Sequence, residues 1–238
     1  MSAVETYESR QNHGALNTWL HSYRFRHIVA TARALADGRR PLRVLELGCA
    51  YGKAYDALSR ALPISYVGVD VEAEFIAAAQ QRYGGREGFA AHLASADEFV
   101  CGPAIALGPF DLVFALETME HMPAPRVMQA LEGVAALAPR RFVASVPVEV
   151  GPAIVLKNVG SALTGYMRHQ EYSLADTFWS ALYRLDKVSP HCGGHKGFDW
   201  RWLAHSIHQV MPITRIRRFP VDWLPSALAA SVYIEAAP

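Results

Sequence analysis

Between Leu42 and Pro147 the chain alternates short apolar runs with segments of helical period, and no other feature restricts its fold as much. The runs are Leu42–Leu47, Tyr66–Asp70, Phe89–Ser95, Phe110–Leu116 and Arg141–Pro147. They are short and mostly continuous in apolar character, which suits strands buried on both faces rather than helices. Helical spacing fills the gaps at Lys53–Leu62, at Glu72–Tyr83 before Gly84 and Gly85, and at Ala124–Ala138. Strands joined by helical crossovers predict an α/β, Rossmann-like, three-layer fold with a parallel sheet covered on both faces. Ahead of them, Leu16, Trp19, Leu20 and Tyr23 follow i, i+3, i+4, i+7, and the pattern runs through Ile28 and Leu35 to Gly38, predicting an N-terminal helix.

The rhythm breaks after Pro147. Roughly fifty residues pass before a helix over Trp200–Val210 and strands over Thr214–Pro220 and Ala230–Ala236. So long an interruption reads as a lid, and the chain as one domain, 1–238, with an insertion at 148–196 and an N-terminal helical segment at 1–40. Ile154, Val155, Leu156, Val159 and Leu163, then Phe178, Trp179, Leu182 and Tyr183, lie largely at helical spacing. Two amphipathic helices are expected there, with most of these side chains packed and the remainder suited to an apolar or aromatic ligand.

Charge disfavours some functions. Lysine and arginine number 23 against 22 acids, so no global field draws in nucleic acid, and Arg215, Arg217 and Arg218 read as a solvated strand face. Cys49, Cys101 and Cys192 lie far apart in an odd count, against a secreted disulfide framework. With no leader-like N-terminus and no apolar window of about 20 residues, the expectation is a cytoplasmic protein without stable membrane insertion. Oligomeric state leaves no trace in the sequence.

The first strand turns into its helix through Glu46-Leu47-Gly48-Cys49-Ala50-Tyr51-Gly52. Gly48 and Gly52 free the backbone to bend and approach a ligand at the carboxyl edge of the sheet. The pattern is not that of a dinucleotide site, because Ala50 stands where a second glycine is expected and Glu46 would repel a diphosphate. Asp70 ends the second strand, where a carboxylate can accept both hydroxyls of a ribose. Then come Ala96-Asp97-Glu98 at the third strand end and Phe110-Asp111-Leu112-Val113 leading to Glu117-Thr118-Met119-Glu120-His121.

In this ordered set the chain resembles the class I S-adenosylmethionine-dependent methyltransferases, strongly over residues 42–147 and in element order alone over 197–237. The resemblance implies strand order 3-2-1-4-5-7-6 with strand 7 antiparallel. It also implies S-adenosylmethionine as cofactor, S-adenosylhomocysteine as product, and a small-molecule methyl acceptor; the near-neutral charge disfavours nucleic acid as that acceptor. Glu46, Gly48, Cys49 and Gly52 would surround the methionine moiety. Asp70 would take the ribose with Val71 beside it, Asp97 the adenine amino group with Glu98 beside it, and Glu117 would stand near the methionine end. Tyr7 would close over the sulfonium.

Methyl transfer is an in-line displacement, so the protein chiefly positions a nucleophile about 3 to 3.5 Å from the methyl carbon. A histidine near neutral pKa helps where an oxygen or nitrogen must lose a proton. His121 lies at the cofactor edge with Glu117 and Glu120 near it in sequence; His191 and His195 lie in a glycine-rich loop whose glycines argue against a metal site. His121 and His191 are the catalytic candidates, with shaping and bracing of their loops as the competing roles. His205 and His208 read as surface or packing residues. Two other functions fit the architecture: a nicotinamide-dependent oxidoreductase, disfavoured by the missing glycine, and a cofactor-binding scaffold without catalysis.

Overall fold

The computed structural model describes residues 15–163, 172–189 and 196–238. Tyr7, His191, Cys192 and His195 lie outside the described residues. By internal contact the chain divides into two compact units: one runs to Leu116 and takes in Pro125–Val143 and Ala237–Pro238, the other holds Glu117–Ala124 and Ala144–Ala236.

In the first unit, helix α1 (Ala15–Leu35) precedes β1 (Leu42–Leu47), α2 (Lys53–Ser59), β2 (Ile64–Asp70), α3 (Ala73–Tyr83) and β3 (Phe89–Leu93). Two short helices, α4 (Ala96–Val100) and α5 (Pro103–Ala106), lead to β4 (Leu112–Leu116); α6 (Ala124–Ala136) and β5 (Arg141–Pro147) follow, with β5 belonging to this unit only as far as Val143. β1 pairs in parallel with β2 and β4, and β2 with β3. Five of the six β1 residues and all five of β4 are buried, as expected of strands covered on both faces. Ile28 and Ala32 of α1 pack with Val44, Tyr55, Leu58, Tyr66 and Phe114 in one apolar cluster.

The second unit holds α7 (Pro152–Leu163), α8 (Leu174–Ala181), α9 (Trp200–Val210), β6 (Ile213–Phe219) and β7 (Ser231–Ala236). β6 and β7 pair antiparallel, with Ile216 opposite Ile234. The seven strands form one sheet in the order β3-β2-β1-β4-β5-β7-β6, the order the resemblance implies.

Several boundaries differ from the sequence reading for local reasons. α2 stops at Ser59, ahead of Pro63, whose ring disfavours helix in the residue before it. β2 begins at Ile64, because Ile64 and Ser65 pair with Leu42 and Arg43. β4 begins at Leu112, two residues after the expected Phe110. Asp97 and Glu98 sit in the first turn of α4 rather than on a strand end.

The insertion helices are present, but their packing is the reverse of the expectation. Ile154 is buried, whereas Val155, Leu156, Val159, Phe178, Leu182 and Tyr183 are exposed. α8 buries Asp176 and Ser180 instead of its apolar stripe. The cause is an ionic hub: Asp176 caps its own helix through Ser173, accepts from the Ser189 N–H at 2.9 Å, and pairs with the buried Lys196 ammonium at 2.8 Å. Burial alone would raise the Asp176 carboxyl, but Lys196 and the Ser189 and Ser173 donors hold it far below the usual carboxylate range.

Candidate cofactor site

The carboxyl ends of β1, β2 and β3 stand side by side at one sheet edge, with neighbouring strands about 5 Å apart. The loop leaving β1 has three left-handed residues, Gly48 (φ 76°), Ala50 (φ 44°) and Gly52 (φ 85°). For alanine that conformation costs about 1–2 kcal/mol, so something must hold it. The holding groups come from the end of β2. Val69 O accepts from the N–H groups of Gly48 and Cys49 at 2.8 and 2.9 Å, and Asp70 Oδ2 accepts from Ala50 N–H at 2.8 Å. Asp70 Oδ1 accepts from Glu72 N–H at 2.9 Å.

Asp70 therefore braces the loop, and its carboxylate keeps acceptor capacity for a hydroxyl donor. Burial pushes its carboxyl above the ordinary range against those amide hydrogen bonds. Val71, next along, exposes 71% of its surface, an apolar side chain beside a polar one at the strand edge.

Glu46 is buried at the end of β1 and accepts from the Tyr66 hydroxyl. Burial pushes it up to about 8, opposed by the Tyr66 hydrogen bond and by Arg24. Cys49 is buried too, its thiol raised by burial and then by the charge of Glu46. Glu46, Gly48 and Ala50 line a small pocket together with Arg24, Phe25 and Lys53. Sequence reasoning missed these last three. Arg24 did carry a signal: it falls four residues after Leu20 and four before Ile28, on the apolar stripe of α1, and it is 5% exposed.

Asp97 is 2% exposed and takes the Arg126 Nε–H at 2.7 Å through Oδ2. Burial would raise it, but Arg126, the Asp97 N–H and Ser95 together outweigh burial and hold the carboxyl below its ordinary value. Its buried Oδ1 has no hydrogen-bond partner among the described residues. Such an acceptor is uncommon in a folded protein. Glu98 is exposed and accepts from Ser95 Oγ at 2.7 Å.

Glu117 and His121 belong to the second unit. Glu117 is left-handed (φ 51°) and donates its N–H to Ser145 O at 2.8 Å. His121 closes the short 3-10 turn Met119–His121 and is exposed, whereas Glu120 in the same turn is buried. His205 and His208 are exposed on α9. Among the described residues no helix is long and apolar enough to cross a membrane.

Residues 44–139 match the family model of the methyltransferase domain. No curated protein sequence matches the chain. Among solved structures, magnesium protoporphyrin IX methyltransferase from Synechocystis PCC 6803, with bound S-adenosylhomocysteine, is 18% identical, with a TM-score of 0.59 over 94% of this chain and 87% of that one. The N-methyltransferase NodS from Bradyrhizobium japonicum WM9 is 14% identical, with a TM-score of 0.50 over 89% and 94%. The small RNA methyltransferase HEN1 is 15% identical, with a TM-score of 0.58 over 88% of this chain and 25% of that one. At such identities the likeness is one of fold, and it spans proteins whose acceptors differ. Residues 44–139 are thus similar to a methyltransferase domain, in a chain that has the Rossmann-like fold of the class I S-adenosylmethionine-dependent methyltransferases.

Proposed function

We propose that the chain transfers a methyl group from S-adenosylmethionine to an oxygen or nitrogen of a small molecule, in the cytoplasm, as one domain whose insertion at 148–196 receives the acceptor. The observation that carries the cofactor assignment is the buried, unpartnered Oδ1 of Asp97, an acceptor suited to an exocyclic amino group. Asp70 would take the ribose, with Val71 beneath the base. Glu46, Arg24 and Lys53 put one acid and two cations at one pocket, the complement of a zwitterionic amino-acid end. Gly48, Cys49 and Gly52 would let the backbone approach, with Glu98 bordering the adenine and with Tyr7 and Glu117 completing the methionine end. Bound there, the cofactor supplies a methyl group on a sulfonium sulfur and leaves as a thioether.

The protein's remaining work is to orient the acceptor and receive its proton. His121, at the turn after β4, and His191, nine residues ahead of α9 in sequence, are the two histidines proposed for that proton. A small acceptor is favoured by the balanced charge and by the exposed Leu174, Phe178 and Leu182 on the insertion. Arg215 and Arg217 pair with Asp222 and Glu235, so β6 offers no free basic stripe for a nucleic acid.

Calorimetry with S-adenosylmethionine, S-adenosylhomocysteine and NADH on wild type and on Asp70→Ala tests the cofactor. Binding of the first two, lost in the variant, is expected; selective NADH binding refutes the assignment. Methyl transfer to RNA, with none to pooled small metabolites, would refute the acceptor class.

A further inference from the structure

We propose that Tyr66 is a positioning residue for the amino-acid end of the cofactor: from β2 its phenol holds the Glu46 carboxyl in the pocket, and Glu46 sheds a proton as the ligand ammonium arrives. The inference rests on the cofactor reading above.

The geometry begins with register. Val44 lies opposite Tyr66 and Glu46 opposite Gly68, so these four share one face of the β1/β2 pair. Gly68 clears the path between them. A Cβ there would stand 2.8 Å from Cys49 Cβ and 3.0 Å from the Tyr66 ring, so no other residue leaves room for that ring. The ring lies parallel to Phe89 (5.7 Å between centroids, 7° between planes) and tilts against Tyr55 at 5.2 Å. Held on both sides, it delivers its hydroxyl to Glu46 alone.

The charged and titratable groups facing Glu46 are Tyr66 and Asp70 from β2, Cys49 from the loop and Arg24 from α1, with Lys53 of α2 on the same pocket. Burial dominates and pushes Glu46 up to about 8, so in the free protein the carboxyl is mostly protonated at pH 7. Pairing with an ammonium needs the carboxylate: the carboxyl O–H bond breaks, the electron pair stays on oxygen, and the proton goes to solvent. Affinity should therefore fall about tenfold per pH unit below 8 and level off above it. The phenol's hydrogen bond favours the ionised form, so its loss moves the bend to higher pH. A residue that only filled space would weaken binding equally at every pH.

The test is calorimetric titration with S-adenosylhomocysteine from pH 6 to 9 on wild type, Tyr66→Phe and Glu46→Gln, the last giving the baseline of the ligand's own titration. For a bend shifted by about one unit, Tyr66→Phe should bind roughly tenfold more weakly than wild type at pH 7 and within about twofold at pH 9. Wild type should release close to one proton at pH 7, read from heats in buffers of different ionisation enthalpy, and Glu46→Gln none. Should Tyr66→Phe not fold, infrared difference spectra of wild type still decide: a protonated-carboxyl band absent from Glu46→Gln must vanish on binding. A uniform loss in Tyr66→Phe, a wild-type profile parallel to Glu46→Gln, or no proton release overturns the proposal while leaving the cofactor reading standing. No binding by wild type at any pH overturns both.

Discussion

Replacing Asp111 by alanine should destabilise the fold without touching the cofactor edge. Asp111 immediately precedes β4, at the opposite end of the sheet from the Glu46–Gly52 loop, and its side chain is 4% exposed. Its carboxylate accepts from Arg40 through two parallel bonds of 2.7 and 2.8 Å, accepts from Arg43 N–H at 2.9 Å, and faces Arg140 at 3.5 Å. Arg140 in turn donates to Leu35 O at the end of α1. One carboxylate thus ties the starts of β1, β4 and β5 to the end of the first helix. Both arginine side chains are about half exposed, so their pairings deserve the discount of surface ion pairs, about 0–1 kcal/mol each. The Arg43 N–H is different, because losing its acceptor costs about 1–3 kcal/mol.

Together these give about 3 kcal/mol for Asp111→Ala, or roughly 6–12 °C in Tm for a chain of this size. The pH dependence has a definite sign. Burial would raise Asp111, but Arg40 and the Arg43 amide hold it below the ordinary value, so its contribution is present above about pH 4 and lost as pH falls through the lower folded value. Wild type and variant should therefore converge in acid. The assay is thermal unfolding at pH 7 and at steps below pH 5, with S-adenosylhomocysteine affinity as control. A loss under about 1 kcal/mol, or a drop in affinity at unchanged stability, refutes the clamp.

Gly52→Ala forces a side chain into a left-handed position 2.9 Å from the Tyr83 ring, itself packed in the aromatic cluster; about 2–3 kcal/mol of stability should go, with cofactor binding, measured by urea unfolding and calorimetry. Asp97→Ala removes an acceptor proposed to face the ligand and leaves only the half-exposed Arg126 behind, so affinity for S-adenosylhomocysteine should fall roughly 10–100-fold with Tm little changed. Asp176→Ala strands the buried Lys196 ammonium and should cost about 3–5 kcal/mol at pH 7 by thermal unfolding. Because Asp176 is depressed when folded, that difference is also lost as pH falls below about 4.

Much of the fold was legible because buried parallel strands write themselves as continuous apolar runs, and because proline and glycine mark their ends. The short helices α4 and α5 were not, since five and four residues are too few to show a helical period. The insertion misled for a physical reason: spacing anticipated two helices between Val148 and Val188, but hydrophobicity named the wrong face of α8. What that helix buries is Asp176 with Ser180, tied to Lys196 twenty residues on, and such a network leaves no periodic signature. At the cofactor edge the acids and glycines could be read from position, whereas Arg24 could not be assigned without seeing that α1 brings it to Glu46. The role of Tyr66 was hidden in an ordinary apolar strand.

Asp70, Asp97 and Asp111 all entered as parts of one motif set, yet the structure separates them by a single criterion, the acceptor capacity each has left. Asp111 is nearly saturated by protein donors, two from Arg40 and one from Arg43, with Arg140 close by. Its place in the motif follows from the fold, which needs a clamp where three strands begin. Asp70 spends part of its acceptor capacity on the Ala50 and Glu72 amides, with Val71 N–H beside it, so the same carboxylate shapes the loop and still has capacity to offer. Asp97 has a buried oxygen without a hydrogen-bond partner among the described residues. A buried acceptor without a donor costs stability and survives where a ligand supplies the donor. By that measure the acids proposed to meet the cofactor are the incompletely satisfied ones at the carboxyl edge, and the order of expected ligand sensitivity is Asp97, then Asp70, with Asp111 indifferent. Substituting each by alanine and comparing changes in S-adenosylhomocysteine affinity against changes in Tm tests that ranking, which fails if Asp111→Ala weakens binding more than Asp97→Ala.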